Sequence, residues 1–284
     1  MGKKYEVNSL TQAIDPKYQL LVDHLLEQRD YPSLQRILPS LTENPEKLTP
    51  FIELAWAILT IDLDQVELLA AKLNYPFLNK PKRIQRKVYF YSHYLELQYQ
   101  RQEFADYFRA LTPVMVDILR LIIEQDFMPD LNHYLIPVIK NTSQGVPLYR
   151  GLQWFEQKVE ADNNYIHQTF KKHYGDHFNY DYYVSSSHLL KLIEDHSSNA
   201  LIKEKVGQMR LIEKYLRNII AHEVVCVDQA WVKQRMNLEI SQVHELYQEL
   251  IALAGLANQQ IWQVFDQINQ DIQQTFIVNQ GVKK

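Results

Sequence analysis

The sequence predicts an all-α protein, in which helical hairpins are followed by a helical bundle. Only 7 of the 284 residues are glycine, and the dipeptides Asn-Gly and Asp-Gly, which mark tight β-hairpins, are absent. Apolar residues instead recur at steps of three and four, the spacing of one helix face, as in QVELLAAKLNY and QEFADYFRALTPVMVDILRLIIEQ. All 11 prolines lie between Pro16 and Pro147, which favours short helices in the first half because proline is poorly tolerated inside a helix.

The composition is that of a globular protein without a general attraction to polyanions. Apolar residues make up 46% of the chain, and the formal net charge of −4 means that nucleic acid would have to meet a local basic face. The single cysteine, Cys226, excludes an internal disulfide and a cysteine-based zinc site, and we expect it to be buried. Because we find neither a signal peptide nor an apolar run of about 18 residues, we expect a cytoplasmic protein that does not span a membrane.

A change of composition at residues 140–151, KNTSQGVPLYRG, predicts where two helical regions meet. We therefore divide the chain into an N-terminal helical region over 1–145 and a C-terminal helical domain over 146–284. In the second region, periodicity and capping residues predict helices at about 151–173 and at SSSHLLKLIEDH (185–196). They also predict a long helix at about 199–224 with Asn199 as its cap, and two further helices at about 232–256 and 258–276. We expect the last six residues, NQGVKK, to be frayed.

The predicted helix over 199–224 has two faces of opposite character. At about 100° per residue, an apolar stripe about 100° wide contains Met209, Ile212, Leu216, Ile219 and Ile220. The opposite face contains three basic residues, an asparagine, a small residue and a histidine: Arg210, Lys214, Arg217, Asn218, Ala221 and His222. A basic face on a net-acidic protein suits a phosphate ligand, although lysine and arginine are also usual on a solvated face.

The segment RNIIAH, residues 217–222, resembles the signature of HEPN-fold ribonucleases, in which a histidine follows an arginine after four to six residues. Its R-N-x-x-A-H form resembles in particular the ancillary endoribonuclease of type III-A CRISPR systems, the Csm-six family. The aromatic segment RIQRKVYFYSHYLELQYQRQEFADYFRAL is similar to the region that precedes the HEPN core in that family. The resemblance implies that residues 146–284 form a HEPN-type helical bundle and that the protein cleaves RNA in antiviral defence.

One domain of that family has no counterpart in this sequence. Members carry an N-terminal Rossmann-like sensor domain, CARF, which binds cyclic oligoadenylates. The sequence has no alternating strand–helix pattern and no glycine-rich strand–turn–helix junction. We therefore expect cyclic oligoadenylate to act only through a sensor domain that is absent from this chain.

The resemblance assigns catalytic roles to Arg217, Asn218 and His222. RNA can be cleaved without a metal because its 2′-hydroxyl lies beside the phosphorus atom. Histidine suits the two proton transfers because its ordinary pKa, about 6.5, lies near neutral pH. Arginine presents a permanently charged fork to phosphate oxygens, and Asn218, one turn before His222, can orient the histidine or the phosphate. We expect Arg210 and Lys214 to bind the substrate, and we expect neither a metal nor a cofactor.

One helix supplies only one copy of each group, and the resemblance implies a homodimer that pairs two such helices, residues 217–222 of each, across a two-fold axis. The expected reaction is cleavage of single-stranded RNA that leaves a 2′,3′-cyclic phosphate, so DNA should resist it. Two other functions fit the same residues: a non-catalytic helical adaptor or scaffold that binds RNA or protein, and a HEPN toxin of a toxin–antitoxin pair.

Three further segments are weaker candidates for binding sites. His167, His173 and His177 suggest a metal, but only the last two have one-face helical spacing, and a glycine lies between them. The aromatic run FNYDYY (178–183) suits base stacking or packing, of which we favour packing. The basic run NKPKRIQRK (79–87) suits RNA contact or a solvated helix start, of which we favour the helix start.

Overall fold

The computed structural model describes residues 16–280, and most of this range is helical. The all-α prediction is confirmed, since the described residues contain many helices and only one two-stranded sheet. The chain forms two compact units. Among the described residues, the first unit comprises those up to Arg101 together with those from Asn258 onwards, and the second comprises Gln102–Ala257.

The elements follow one another with short connections. In chain order, the helices are α1 (Pro16–Glu27), α2 (Tyr31–Leu41), α3 (Thr49–Leu59), α4 (Leu63–Lys72), α5 (Arg83–Gln100), α6 (Phe104–Asp126), α7 (Glu156–Asp162), α8 (Tyr165–Tyr174), α9 (Ser186–His196), α10 (Ala200–Ile212), α11 (Asn218–His222), α12 (Gln229–Met236), α13 (Ile240–Leu253) and α14 (Val264–Gln280). A π-helical turn, Glu213–Arg217, joins α10 to α11, and the strands are β1 (Leu135–Asn141) and β2 (Pro147–Trp154).

In the first unit, proline and aspartate set the starts of the short helices. Pro32 lies in the first turn of α2, where its missing N–H is not needed, and the Asp30 side chain accepts a hydrogen bond from the Ser33 amide. Asp62 caps α4 in the same way. Helix α14 returns to this unit and packs against α3.

The second unit is organised around α6, the longest helix at 23 residues. It continues through Pro113 and packs against α9, α13 and the π-helical turn. Its buried side chains, among them Phe108, Met115 and Ile122, form the centre of this unit's core. The core therefore lies directly behind the helical run that carries the RNIIAH segment.

Residues 135–154 form an antiparallel β-hairpin, so the helix predicted to start at about 151 is wrong there. The strands pair from Leu135 with Trp154 to Asn141 with Pro147. Gly145 supplies the left-handed backbone that the turn needs, with φ of +78°. Helix α7 begins only at Glu156 and ends at Asp162, because the next residue, Asn163, has a left-handed φ of 42°.

The predicted boundary at residue 145 lies inside this hairpin. The glycine- and proline-containing stretch 140–151 contains the turn between the two paired strands and lies within the second compact unit. The division into 1–145 and 146–284 thus differs from the compact units, which change at Arg101 and at Ala257.

Two other predicted helices have different ends in the structure. The run predicted over 199–224 is capped by Asn199 as expected, but it ends at His222. The helix predicted over 232–256 is two helices, because Asn237 adopts φ of 53° and ends α12. The tail predicted to fray begins in the last turn of α14, and its residues 281–284 lie outside the described residues. Within residues 16–280, no helix is both long and apolar enough to cross a membrane.

We predict that His93 makes folding sensitive to acid. Its ring is buried, and this burial, with the nearby charge of Arg29, lowers its pKa from 6.5 to about 4. The unfolded chain therefore binds a proton at a pH where the folded chain does not. The free energy of unfolding should fall as the pH drops from about 6.5 towards about 4, by about 3 kcal/mol in total.

The His93→Gln variant should lose the part of the pH dependence that comes from His93, since its amide can still donate to the Ile261 carbonyl, 3.1 Å from the histidine ring, but does not titrate. The part that comes from His188, whose pKa burial also lowers to about 4, should remain. Urea unfolding at pH 7 and pH 4.5 measures the effect, with the same change at the exposed His24 as control. An unchanged pH dependence in His93→Gln would contradict the prediction.

Candidate active site

The RNIIAH segment lies at the C-terminal end of the helical run 200–222, which α10, the π-helical turn and α11 form together. The predicted apolar stripe is buried at four of its five positions, Met209, Ile212, Leu216 and Ile220. The fifth, Ile219, is half-buried. The segment is therefore anchored on its apolar side.

The polar residues of the segment lie on the outer side of this run. Asn218, Ala221 and His222 are exposed, and Arg217 is half-buried. Arg217 donates from Nη1 to Oδ1 of Asn218 over 3.4 Å, a long and weak hydrogen bond. His222 is the last residue of α11. The structure thus brings Arg217, Asn218 and His222 to one exposed helix end, where a substrate can reach them.

The π-helical turn changes the predicted alignment of Arg210 with this group. The amide of Asn218 donates to the carbonyl of Glu213, five residues earlier rather than four. The wider turn rotates Arg210 relative to Arg217, so the uniform projection at about 100° per residue is wrong across it. Lys214 lies inside the turn and is exposed, with its ammonium group 5.0 Å from the centre of the Tyr215 ring.

The same turn buries a carboxylate beneath the exposed group. Glu213 is 4% exposed, and its Oε2 accepts hydrogen bonds from Ser186 Oγ and from Arg210 Nη1, each over 3.1 Å. Its Oε1 is buried and meets no hydrogen-bond partner among residues 16–280, and the same holds for Nε of Arg217. Such a group costs about 1–3 kcal/mol, so the pair needs an explanation.

The site residues predicted from the sequence do not include Glu213, although its spacing gives a signal. In the helical projection Glu213 falls at about 320° when Arg217 is set at zero, between Ile220 of the apolar stripe at about 300° and Arg217 itself. A carboxylate at that position is unusual because charged side chains are rarely buried without a partner.

A residue of α6 forms a hydrogen bond to the C-terminal end of the helical run 200–222. Arg109 donates from Nε to the carbonyl of Ile220 over 3.2 Å and from Nη1 to Asp106 over 3.0 Å. The last carbonyls of a helix lack partners within the helix and carry partial negative charge. Arg109 therefore satisfies and stabilises the turn that carries Asn218 and His222.

The three histidines of the weaker candidate site have different partners. His167 Nδ1 lies 3.3 Å from a Glu160 oxygen, whereas His173 Nε2 lies 3.0 Å from Asp195. Throughout residues 16–280, no three histidine, cysteine, aspartate or glutamate side chains are grouped as metal ligands.

In the aromatic run 178–183 and the basic run 79–87, some side chains are packed against neighbours and others are exposed. Within FNYDYY, Phe178 stacks on Phe170 with ring centres 3.8 Å apart, while Tyr182 is 60% exposed. In the basic run, Arg86 is buried beside Glu67. Cys226 is exposed, so its predicted burial is wrong, because the chain has already left the helix at that point.

Comparison with protein families gives a match to the Cas_Csm6 HEPN domain over residues 77–273, which include every candidate residue of the site. Among solved structures, Enterococcus italicus Csm6 bound to cyclic hexa-2'-fluoro-hexa-dAMP is similar, with a TM-score of 0.60 and 13% identity. The alignment covers 92% of this chain and 57% of that chain, so this chain spans a little over half of that protein's length. No curated protein sequence matches.

We predict that replacing Arg109 with alanine makes the C-terminal end of α11 open more often. The Arg109→Ala variant leaves the Ile220 carbonyl without its side-chain donor, and we expect stability to fall by about 1 kcal/mol. Amide exchange should become faster at Glu223, whose N–H donates to Ile219 over 2.9 Å. Hydrogen exchange measures this, with the exposed Arg36→Ala as control. Unchanged protection at Glu223 would argue against the proposed capping.

Proposed function

Because the chain belongs to the Csm6 family of HEPN domains, we propose that it is a CRISPR-associated endoribonuclease that cleaves single-stranded RNA in antiviral defence. The observation that carries the proposal is the group of Arg217, Asn218 and His222 at one exposed helix end. This group lies within the region that the family model covers.

The proposed chemistry needs only the groups of the site and of the RNA. The 2′-oxygen loses its proton and attacks the neighbouring phosphorus, and the bond from phosphorus to the 5′-oxygen breaks as that oxygen gains a proton. His222 suits these proton transfers. The Arg217 guanidinium neutralises the charge on the phosphorane oxygens, and Asn218 orients the phosphate or the histidine. The products carry a 2′,3′-cyclic phosphate and a 5′-hydroxyl.

We propose that the complete site belongs to a homodimer. One chain offers one arginine and one histidine, whereas attack and departure each need a proton transfer. Large apolar side chains are exposed along the same helical run: Leu211 is 48% exposed and Tyr215 is 45% exposed. Exposed apolar groups of this kind mark interaction surfaces. A two-fold interface would cover them and bring two copies of Arg217 and His222 together.

Arg210 and Lys214 are proposed to contact phosphates beside the cleaved one. Lys214 is exposed and can do so directly. Arg210 is paired with Glu213, so only the part of its guanidinium that does not face that carboxylate is available. The similar Enterococcus italicus protein is bound to a cyclic nucleotide, and we assign no residue of this chain to such a ligand.

Cleavage of labelled single-stranded RNA in EDTA tests the reaction. The wild type should cleave, and His222→Ala and Arg217→Ala should each lower the rate about 10²- to 10⁴-fold, because each removes a group that acts in the transition state. DNA of the same sequence should stay intact, since it lacks the 2′-hydroxyl.

The exposed His133→Ala is the matched histidine control and should cleave like the wild type. Equal cleavage by the wild type and both site variants would exclude Arg217 and His222 from catalysis. No cleavage at high enzyme concentration would exclude the nuclease and favour a non-catalytic adaptor.

The dimer has a separate test. The Leu211→Lys variant places a charge on the proposed interface, and we expect it to be monomeric in light scattering and at least about 10-fold less active, because a charge cannot be buried there without a partner. Leu201→Lys is the matched control, since Leu201 is 49% exposed and lies about 15 Å away on the same helix. A monomeric wild type that cleaves RNA would contradict the composite site.

A further inference from the structure

The buried carboxylate of Glu213 has a feature that its structural partners do not account for. Its Oε2 has two donors, Ser186 and Arg210, whereas its Oε1 has none among residues 16–280. A charge removed from water is stable only when its surroundings supply hydrogen bonds. Oε2 of Glu213 is therefore satisfied in the structure, whereas Oε1 still lacks a hydrogen-bond donor.

A complementary donor lies one turn away. The Nε–H of Arg217 is also buried and without a hydrogen-bond partner in the described part of the chain. An ionised carboxylate oxygen can only accept, and a guanidinium nitrogen can only donate, so these two atoms suit each other. They belong to Glu213 and Arg217, the two ends of a single helical turn.

The backbone keeps these two residues in register. Glu213 and Arg217 are the first and last residues of the π-helical turn, and the turn's hydrogen bond runs from the Asn218 amide to the Glu213 carbonyl. The Glu213 side chain is itself held from outside the turn, by Ser186 of α9 and by Arg210 of α10. Its free oxygen therefore has a defined position on the turn that carries Arg217.

We propose that Glu213 is a positioning residue for Arg217, a role that rests on the proposed function. When RNA binds, Arg217 gives up its weak contact with Asn218 and donates Nε–H to Oε1 of Glu213. Both terminal nitrogens of the guanidinium then face the phosphate as a two-pronged fork. Asn218 is released to orient His222 or the phosphate.

The test is steady-state cleavage of labelled RNA by the wild type, Glu213→Gln, Arg217→Ala and the double variant. Glutamine keeps the shape of the side chain. While its oxygen accepts from Ser186 and Arg210, its NH₂ faces the Nε–H of Arg217, so two donors meet. We expect kcat to fall about 10- to 100-fold with KM changed less than about threefold, because Arg217 is present but misdirected.

The double variant distinguishes positioning from general damage. If Glu213 acts only through Arg217, then Glu213→Gln should have almost no further effect once Arg217 is alanine. The matched control is Glu204→Gln, which changes an exposed carboxylate on the same helix and should leave kcat unchanged. If Glu213→Gln does not fold, Ser186→Ala frees the carboxylate without removing its charge and should lower kcat about threefold or more.

The outcomes separate this proposal from the proposed function. Cleavage by the wild type and loss in Arg217→Ala, with unchanged kcat in Glu213→Gln and in Ser186→Ala, would overturn the positioning role alone. Effects that multiply in the double variant would also overturn it, because they would be independent. A wild type that does not cleave RNA would overturn both.

Discussion

A single backbone hydrogen bond, from the Asn218 amide to the Glu213 carbonyl, determines how the polar groups of the second unit are arranged. It adds one residue to a helical turn. The extra residue rotates the part of the run that contains Arg210 relative to the part that contains Arg217. Glu213 and Arg217, the first and last residues of this turn, each keep one buried polar atom without a hydrogen-bond partner among residues 16–280.

The surrounding helices make this departure stable. Helix α9 contributes Ser186 to the buried carboxylate, and α6 contributes Arg109 to the last carbonyls of the run. Both are far away in sequence, so the arrangement forms only when the second unit folds. Because contacts from α9 and α6 fix this helical run, its side chains can keep the narrow range of positions and orientations that catalysis requires.

Features that depend on residues close together in the sequence could be predicted, whereas irregular turns and long-range packing could not. Apolar spacing identified the all-α class and the buried stripe, and Asn199 was recognisable as a cap because its effect extends only a few residues. The π-helical turn was missed because a projection assumes an even twist. The hairpin at 135–154 was missed because its turn glycine follows a glutamine rather than an asparagine or aspartate. The return of α14 to the first unit depends on long-range packing, which periodicity does not report.

Within the candidate site, the outward position of Asn218 and His222 could be derived from spacing, whereas the burial of Glu213 depends on a partner from another helix.

The segment beyond His222 has a property that is useful for experiments. Cys226 is the only cysteine of the chain and is exposed. It lies four positions after His222, at most about 14 Å along the chain. A thiol reagent would therefore attach at one place beside the catalytic candidates. A fluorescent label there would report directly on a second chain or an RNA strand approaching this surface, without any engineered residue.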